Sequence, residues 1–260
     1  MPTKPSTQRT HEISSAIKAI EADRNTLLAL CRDLDDSVCA TASGCPGWTV
    51  QDLVSHMACS FWLAVDPAHL PDPAGLPAER AADVYVESRR SMSPGQVLAD
   101  YESVSAKGLE LLAAVQGQDI GAVPLGDVGT YPASVVPTAF AFEHYVHIRL
   151  DLFPPAGPLT GEPPASDELR LRPTLEWIEA ALPQQNSKLL DGMDEAIEIR
   201  LTGVGARALR IGGADVAAHI TCDSKAFVQW VTQRGSWESL GVDGKGDPSA
   251  LEVARRLHVF

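Results

Sequence analysis

The stretch GCPGWTVQDLVSHMACSFW, residues 44–62, places a loop of Gly, Cys and Pro directly before a run of helical periodicity. Thr49 can cap this helix, and Asp52 lies in its first turn, where a carboxylate favours the helix dipole. The inward stripe of the helix contains a histidine, His56, among apolar and small residues. A lone histidine on an apolar face is most often a core residue with satisfied hydrogen bonds, so its meaning depends on what faces it.

The composition is that of a globular protein with one large domain or two ordinary ones. The chain has 260 residues, 45% of them hydrophobic and 21% charged. Its formal net charge of −13 argues against nucleic acid or an anionic membrane as a partner, because both require clustered Lys and Arg. The N-terminus lacks a signal-peptide core, and no stretch of roughly 18 apolar residues follows. Five cysteines without a Cys-x-x-Cys pair fit reduced thiols, so the chain is expected to be cytoplasmic.

Long helices are predicted throughout the first part of the chain. Ser93, Pro94 and Gln96 form the start of one of them, with a capping box and proline at the first helical position. The long helices are predicted over residues 13–34, from 48 or 49 to about 64, 93–115 and 133–150, with a short helix near 81–90. Together they predict an antiparallel four-helix bundle over residues 1–153.

The pattern changes after a stretch with five prolines, which we interpret as a linker over residues 154–166. Beyond it, short strands alternate with helices, which predicts a smaller α+β domain over residues 167–260 and an α+β chain overall. Its helices are predicted at 167–182, 224–230 and 248–260, and its strands around 197–201, 208–211 and 216–222.

A carboxylate and an imidazole share one face of the fourth helix. Glu143 and His147 are four residues apart, so one lies above the other. Burying both in a bundle is costly unless something compensates them, and a divalent metal would do so with His56 as third ligand. Two imidazoles and a carboxylate suit Zn²⁺ with positions left open, while Fe²⁺, Mn²⁺ and Ni²⁺ remain possible by ligand type. The alternative is a surface Glu–His pair and an unrelated core histidine.

Three further residues near these positions compete for roles. His144 is about 100° around the helix from Glu143, so both cannot aim at one metal without distortion. Cys59 lies one turn after His56, although a buried thiol is the commoner reading. Asp151 is either a hydrogen-bond acceptor for His147 or a solvated carboxylate at a helix end.

The segments CPGWTVQDLVSHMA (residues 45–58) and FEHYVHIRLDL (residues 142–152) closely resemble the mycothiol-dependent maleylpyruvate isomerase family. The resemblance implies a DinB-like metal-binding bundle followed by an α+β domain similar to sterol carrier proteins. It also implies a divalent metal, usually zinc, on His56, Glu143 and His147, with mycothiol as thiol cosubstrate. An arginine at a helix end in the second domain contributes to the isomerase active site, and Arg234 is its match here.

The chain departs from the family pattern beside the predicted ligands. Relatives often carry Arg just before the ligand Glu and Asp three residues after the ligand His, whereas this chain has Phe140 and Phe142 and delays its Asp to position 151. Without that Arg, a small dicarboxylate loses a clamp, and two aromatic rings suit a larger or more apolar substrate.

We therefore expect a metal-dependent enzyme in which mycothiol is the nucleophile in S-transfer or thiol exchange on a small-molecule electrophile. The alternative is maleylpyruvate cis–trans isomerisation, and a second alternative is a non-catalytic small-molecule binding protein. The expected partners are a small-molecule substrate and the thiol, in a monomer or homodimer.

Overall fold

The first part of the chain folds as an antiparallel bundle of long helices, as predicted. The structure, a computed structural model, describes residues 13–260. The helices in chain order are α1 (Ser15–Arg32), α2 (Asp36–Cys39), α3 (Val50–Val65), α4 (Ala78–Glu87), α5 (Pro94–Val115) and α6 (Val136–Val146). Helix α1 contacts α5 and α6, and α3 contacts the same two helices, which closes the bundle. Short 3₁₀ turns lie at Pro67–His69 and Gly126–Val128, and a hairpin of β1 (Ala122–Pro124) and β2 (Thr130–Pro132) lies between α5 and α6.

Local sequence signals explain where the bundle helices begin. The Thr49 hydroxyl accepts the Asp52 N–H at 3.1 Å while the Asp52 carboxylate accepts the Thr49 N–H at 3.0 Å, which makes the predicted cap of α3 a full capping box. Ser93 and Gln96 cap α5 in the same reciprocal way. Pro137 lies in the first turn of α6, where a missing N–H costs no helical hydrogen bond. Among residues 13–260, no helix is long and apolar enough to cross a membrane.

The second part is a small mixed sheet covered on one side by helices. Its elements are α7 (Glu168–Gln185), α8 (Ser187–Leu190), β3 (Glu195–Thr202), β4 (Ala208–Gly212), β5 (Asp215–Asp223), α9 (Ser224–Val231), α10 (Trp237–Leu240), β6 (Asp243–Gly246) and α11 (Pro248–Arg255). The strand order is β4-β3-β5-β6, with β3 and β5 parallel and the other pairs antiparallel. Ile197, Ile199 and Leu201 face the buried side, as their alternation predicts. The α+β fold class is therefore confirmed.

The two parts share an extensive interface. Helix α7 packs against both α1 and α6. Phe142, Tyr145 and Val146 of α6 belong to the same apolar core as the inner face of the sheet. The C-terminal end of α6 is therefore the place where bundle and sheet meet.

Several boundaries differ from the sequence prediction. Helix α1 begins after its N-cap Ser14, so Ile13 lies outside it and is half exposed. The last helix ends at Arg255, and the chain after it is extended, with the Val259 N–H bonded to the Val231 carbonyl. A hairpin of β1 (Ala122–Pro124) and β2 (Thr130–Pro132) and the short strand β6 have no counterpart among the predicted elements. These strands have three or four residues, too few to establish a period.

We expect the division at residues 154–166 to be visible in limited proteolysis. Leu159 is buried against the bundle core, while residues 160–163 are exposed. Exposed connections are the preferred sites of nicking, so the first cuts should fall at 160–163 and leave a bundle fragment and an α+β fragment. Mass spectrometry of early digests locates the cut. Cleavage inside α1, α3 or α5 before this segment is touched would place the division elsewhere.

Candidate active site

Three side chains from two helices converge between α3 and α6. His56 Nε2 lies 2.9 Å from Glu143 Oε1. Each of His56, Glu143 and His147 offers one potential ligand atom, and these atoms lie within 4.8 Å of one another. The two imidazole rings meet edge to face, with centroids 5.2 Å apart. The structure thus brings together the three residues predicted as metal ligands.

The Glu143 carboxylate is held in its ionised form. Burial raises its pKa, but the hydrogen bond from His56 and the charges of the neighbouring histidines outweigh burial and bring the pKa below its ordinary value. Ser60 also donates to Oε1 at 2.5 Å. The side chain keeps 16% of its surface exposed, so an ion or small molecule can reach it.

His147 is oriented by Asp151. Nδ1 of His147 lies 2.8 Å from Oδ2 of Asp151, whose side chain is fully buried. Since a carboxylate only accepts, Nδ1 carries the proton and Nε2 is left for a metal, the arrangement common around metal-binding histidines. The pKa of Asp151 is far below its usual range, because the bonds from His147 and Arg234 outweigh burial. The reading of Asp151 as a solvated helix-end carboxylate is therefore wrong.

A π-helical turn places Asp151 under His147. Helix α6 continues as a π-helical segment, His147–Asp151, and the Leu152 N–H bonds the His147 carbonyl five residues back. Such turns insert one residue into an α-helix and are frequent at functional sites. In this turn the Asp151 carboxylate, four residues after His147, lies against the His147 ring.

Arg234 reaches Asp151 from the second part of the chain. Its Nε lies 2.6 Å from Oδ1 and its Nη2 2.7 Å from Oδ2, while Nη1 donates to the Thr232 carbonyl at 2.8 Å. The backbone directs it there, because Gln233 adopts a left-handed conformation, φ 60°, at the end of α9. The Arg234 N–H bonds the Gln229 carbonyl in the Schellman pattern. Arg234 therefore lies at the site, and Asp151 links it to His147, one of the three convergent residues.

Cys45 is a site residue that sequence reasoning missed. Its Sγ lies 3.3 Å from Asp151 Oδ2, 3.8 Å from His147 Nδ1 and 3.9 Å from Arg234 Nη2. Burial and the charge of Asp151 raise the pKa of the Cys45 thiol to about 12, against the lowering effect of Arg234. The thiol of this residue is therefore protonated at neutral pH, and no local sequence pattern distinguishes it from a loop cysteine.

The same loop forms a wall beside His56. The Trp48 ring centroid lies 4.7 Å from that of His56, and the Trp48 indole N–H donates to Asp83 on α4 at 3.1 Å. The indole is thus fixed at both its face and its polar end.

The rival ligands point elsewhere. His144 is fully buried, with Nδ1 bonded to the Phe140 carbonyl and Nε2 to the Tyr101 hydroxyl, each at 2.8 Å. Both of its nitrogens are occupied, so it is a core residue. Cys59 is buried in a separate cluster with Tyr85, and burial raises its pKa to about 11.

The two phenylalanines predicted to line a substrate pocket pack into the cores of the two parts. Phe142 is buried in the core shared with the sheet, so its assignment to a substrate pocket is wrong. It lies on a different side of α6 from Glu143 and faces the second part of the chain. Phe140 is half-buried and stacks on Phe61 with centroids 5.0 Å apart.

Comparisons with known proteins agree with this architecture. The family profile described as mycothiol maleylpyruvate isomerase N-terminal domain matches residues 20–153. Two crystal structures of the mycothiol-dependent maleylpyruvate isomerase, one of them of a histidine-to-alanine mutant, share the fold with TM-scores of 0.58. They are 19% and 18% identical to this chain, and each alignment covers 91% of this chain and 95% of the other. No curated protein sequence matches the chain.

Proposed function

The chain belongs to the mycothiol maleylpyruvate isomerase family, and on that premise we propose that it is a metal-dependent enzyme with mycothiol as nucleophile. The observation that carries the proposal is the convergence of His56, Glu143 and His147, with Nδ1 of His147 engaged by the buried Asp151. If Glu143 and His147 were a solvated surface pair, nothing would require a buried carboxylate behind His147.

The donor set fits one divalent cation. Two imidazole nitrogens and an ionised carboxylate oxygen are the ligand types of zinc sites that keep positions open. We propose zinc in this position. When bound, the metal would lower the pKa of a coordinating thiol, so that the thiolate forms at neutral pH.

Isomerisation is the reaction class that the family supports best. The mycothiol thiolate adds to a double bond conjugated to a carbonyl, the C–S bond forms as the π electrons move onto that carbonyl oxygen as an enolate, and the remaining C–C single bond rotates. Elimination then breaks the C–S bond, restores the double bond and returns the thiol. Arg234 is proposed to orient an anionic group of the substrate through its remaining N–H groups, since 23% of its side chain is exposed.

S-transfer to an electrophile is a second candidate. The observation in its favour is that Asp151 occupies Nε and Nη2 of Arg234, one of the two donor pairs through which a guanidinium clamps a carboxylate bidentately. A substrate that is not a small dicarboxylate would not need that clamp. In this case the C–S bond formed by the thiolate persists and the electrophile loses its leaving group.

Thiol consumption separates the two reactions. Purified protein with zinc and mycothiol is incubated with maleylpyruvate, followed by absorbance, and with electrophiles such as activated sugars and thioconjugates, followed by mass. Isomerisation predicts turnover of maleylpyruvate with catalytic thiol and no stable S-conjugate. Stoichiometric loss of thiol with an S-conjugate supports transfer. If neither thiol nor metal affects any rate, both enzymatic proposals fail and a binding protein is the better reading.

A further inference from the structure

We propose that Cys45 is a positioning residue for the metal centre, acting through Asp151 on the ligand His147. The inference rests on the proposed function, because it assigns Cys45 a part in metal affinity. It adds a residue from the loop before α3 to a site whose proposed ligands lie on α3, on α6 and in the π-helical turn.

Three donors meet at one oxygen of Asp151. Oδ2 lies 2.8 Å from His147 Nδ1, 2.7 Å from Arg234 Nη2 and 3.3 Å from Cys45 Sγ. A carboxylate oxygen beside these groups accepts, so the thiol donates. Asp151 is fully buried, so water cannot replace a donor that is removed from its Oδ2, and the remaining donors are expected to shift.

The position of the thiol is fixed by backbone contacts. The Gly44 N–H donates to the Asp151 carbonyl at 2.8 Å, and a Cβ at Gly44 would lie 2.7 Å from Asp151 Cα, so only glycine permits this approach. The Ser43 hydroxyl accepts the Cys45 N–H at 3.2 Å and donates to the Trp48 carbonyl at 2.9 Å. Hydrogen bonds therefore hold the loop in place on both sides of Cys45.

The loop before α3 thus makes a contact at each of the two proposed histidine ligands. Cys45 bonds the carboxylate that orients His147, while Trp48 packs on the ring of His56. Groups that orient metal ligands typically change metal affinity about 10–100-fold when removed. Cys45 contacts Asp151 and not the ligand itself, and a thiol is a weak donor. We therefore expect its removal to lower zinc affinity about threefold to tenfold.

The test compares zinc affinities by chelator competition in the full-length protein. Cys45→Ala should bind zinc about threefold to tenfold more weakly, while Cys45→Ser, which keeps an O–H donor, should stay within about twofold of wild type. In an Asp151→Asn background, Cys45→Ala should not lower zinc affinity further, because the carboxylate through which Cys45 acts on His147 is already gone. Cys31→Ala removes a half-buried thiol away from the site and should leave affinity unchanged.

A second readout needs no metal. In zinc-free protein, the His147 Nδ1 proton should give a low-field NMR resonance that weakens or shifts in Cys45→Ala and is retained in Cys45→Ser. If wild type binds no zinc, the proposed function fails, whereas this resonance still decides the role of Cys45. An unchanged resonance in Cys45→Ala overturns the inference. Equal zinc affinities of the alanine and serine variants, or an undiminished alanine effect in the Asp151→Asn background, overturn it as well.

Discussion

Replacing His147 by alanine should abolish tight metal binding, reducing the metal content from about one divalent ion per chain to about a tenth or less. The change removes one of the three proposed ligands and leaves the buried Asp151 without the donor 2.8 Å away. Elemental analysis of protein purified without chelator measures the content directly. Added zinc should raise the melting temperature of the wild type and not of the variant, because binding to the folded state alone stabilises it.

The matched control is His219→Ala, which removes an imidazole from the exposed face of the sheet. Its metal content should equal that of the wild type. The wild type itself should lose metal in acid, because histidine ligands must be neutral to bind. Equal metal content in wild type and His147→Ala, or no metal in the wild type, would end the proposal of a metal centre.

The features predictable from sequence are those with a short-range signature. The capping boxes at Thr49 and Ser93 mark helix starts within four residues, and Glu143 and His147 share a face because they are four residues apart. The match of His56 to this pair rested on the expected bundle and on the resemblance to a family, since α3 ends at Val65 and α6 begins only at Val136, and no local signal shows which of their faces meet.

The parts that escaped prediction depend on contacts distant in sequence. Phe142 looks like a pocket residue beside Glu143, yet the docking of the sheet buries it in another core. The sequence leaves Asp151 either an acceptor for His147 or a solvated helix end, and the structure shows the acceptor, because the loop at Cys45 and Arg234 bury it. None of these partners can be read from the residues next to it.

The interface between the two parts is held by a buried ion cluster. Asp23 on α1 accepts both Nη groups of Arg149 at 2.8–2.9 Å, and Arg170 Nε on α7 lies 2.7 Å from its Oδ1. Arg149 also donates to the Ala165 carbonyl at 2.9 Å. Asp23 and Arg149 are each about 2% exposed or less. One carboxylate thus neutralises charge from the π-helical turn and from α7.

Asp23→Asn should therefore destabilise the protein by about 3–5 kcal/mol, since it leaves buried guanidinium charge uncompensated while keeping nearly the same shape. Urea unfolding measures the loss, and Glu21→Gln, an exposed change on the same helix, should stay within about 0.5 kcal/mol of wild type. After cleavage at residues 160–163, the two fragments of the wild type should remain associated, whereas those of Asp23→Asn should separate on size exclusion. A loss below about 1 kcal/mol would mean that solvent or rearrangement compensates the two arginines. Because Arg149 lies between His147 and Asp151 in the π-helical turn, a weakened cluster should also loosen the support of His147, the proposed metal ligand, and zinc affinity should fall with it.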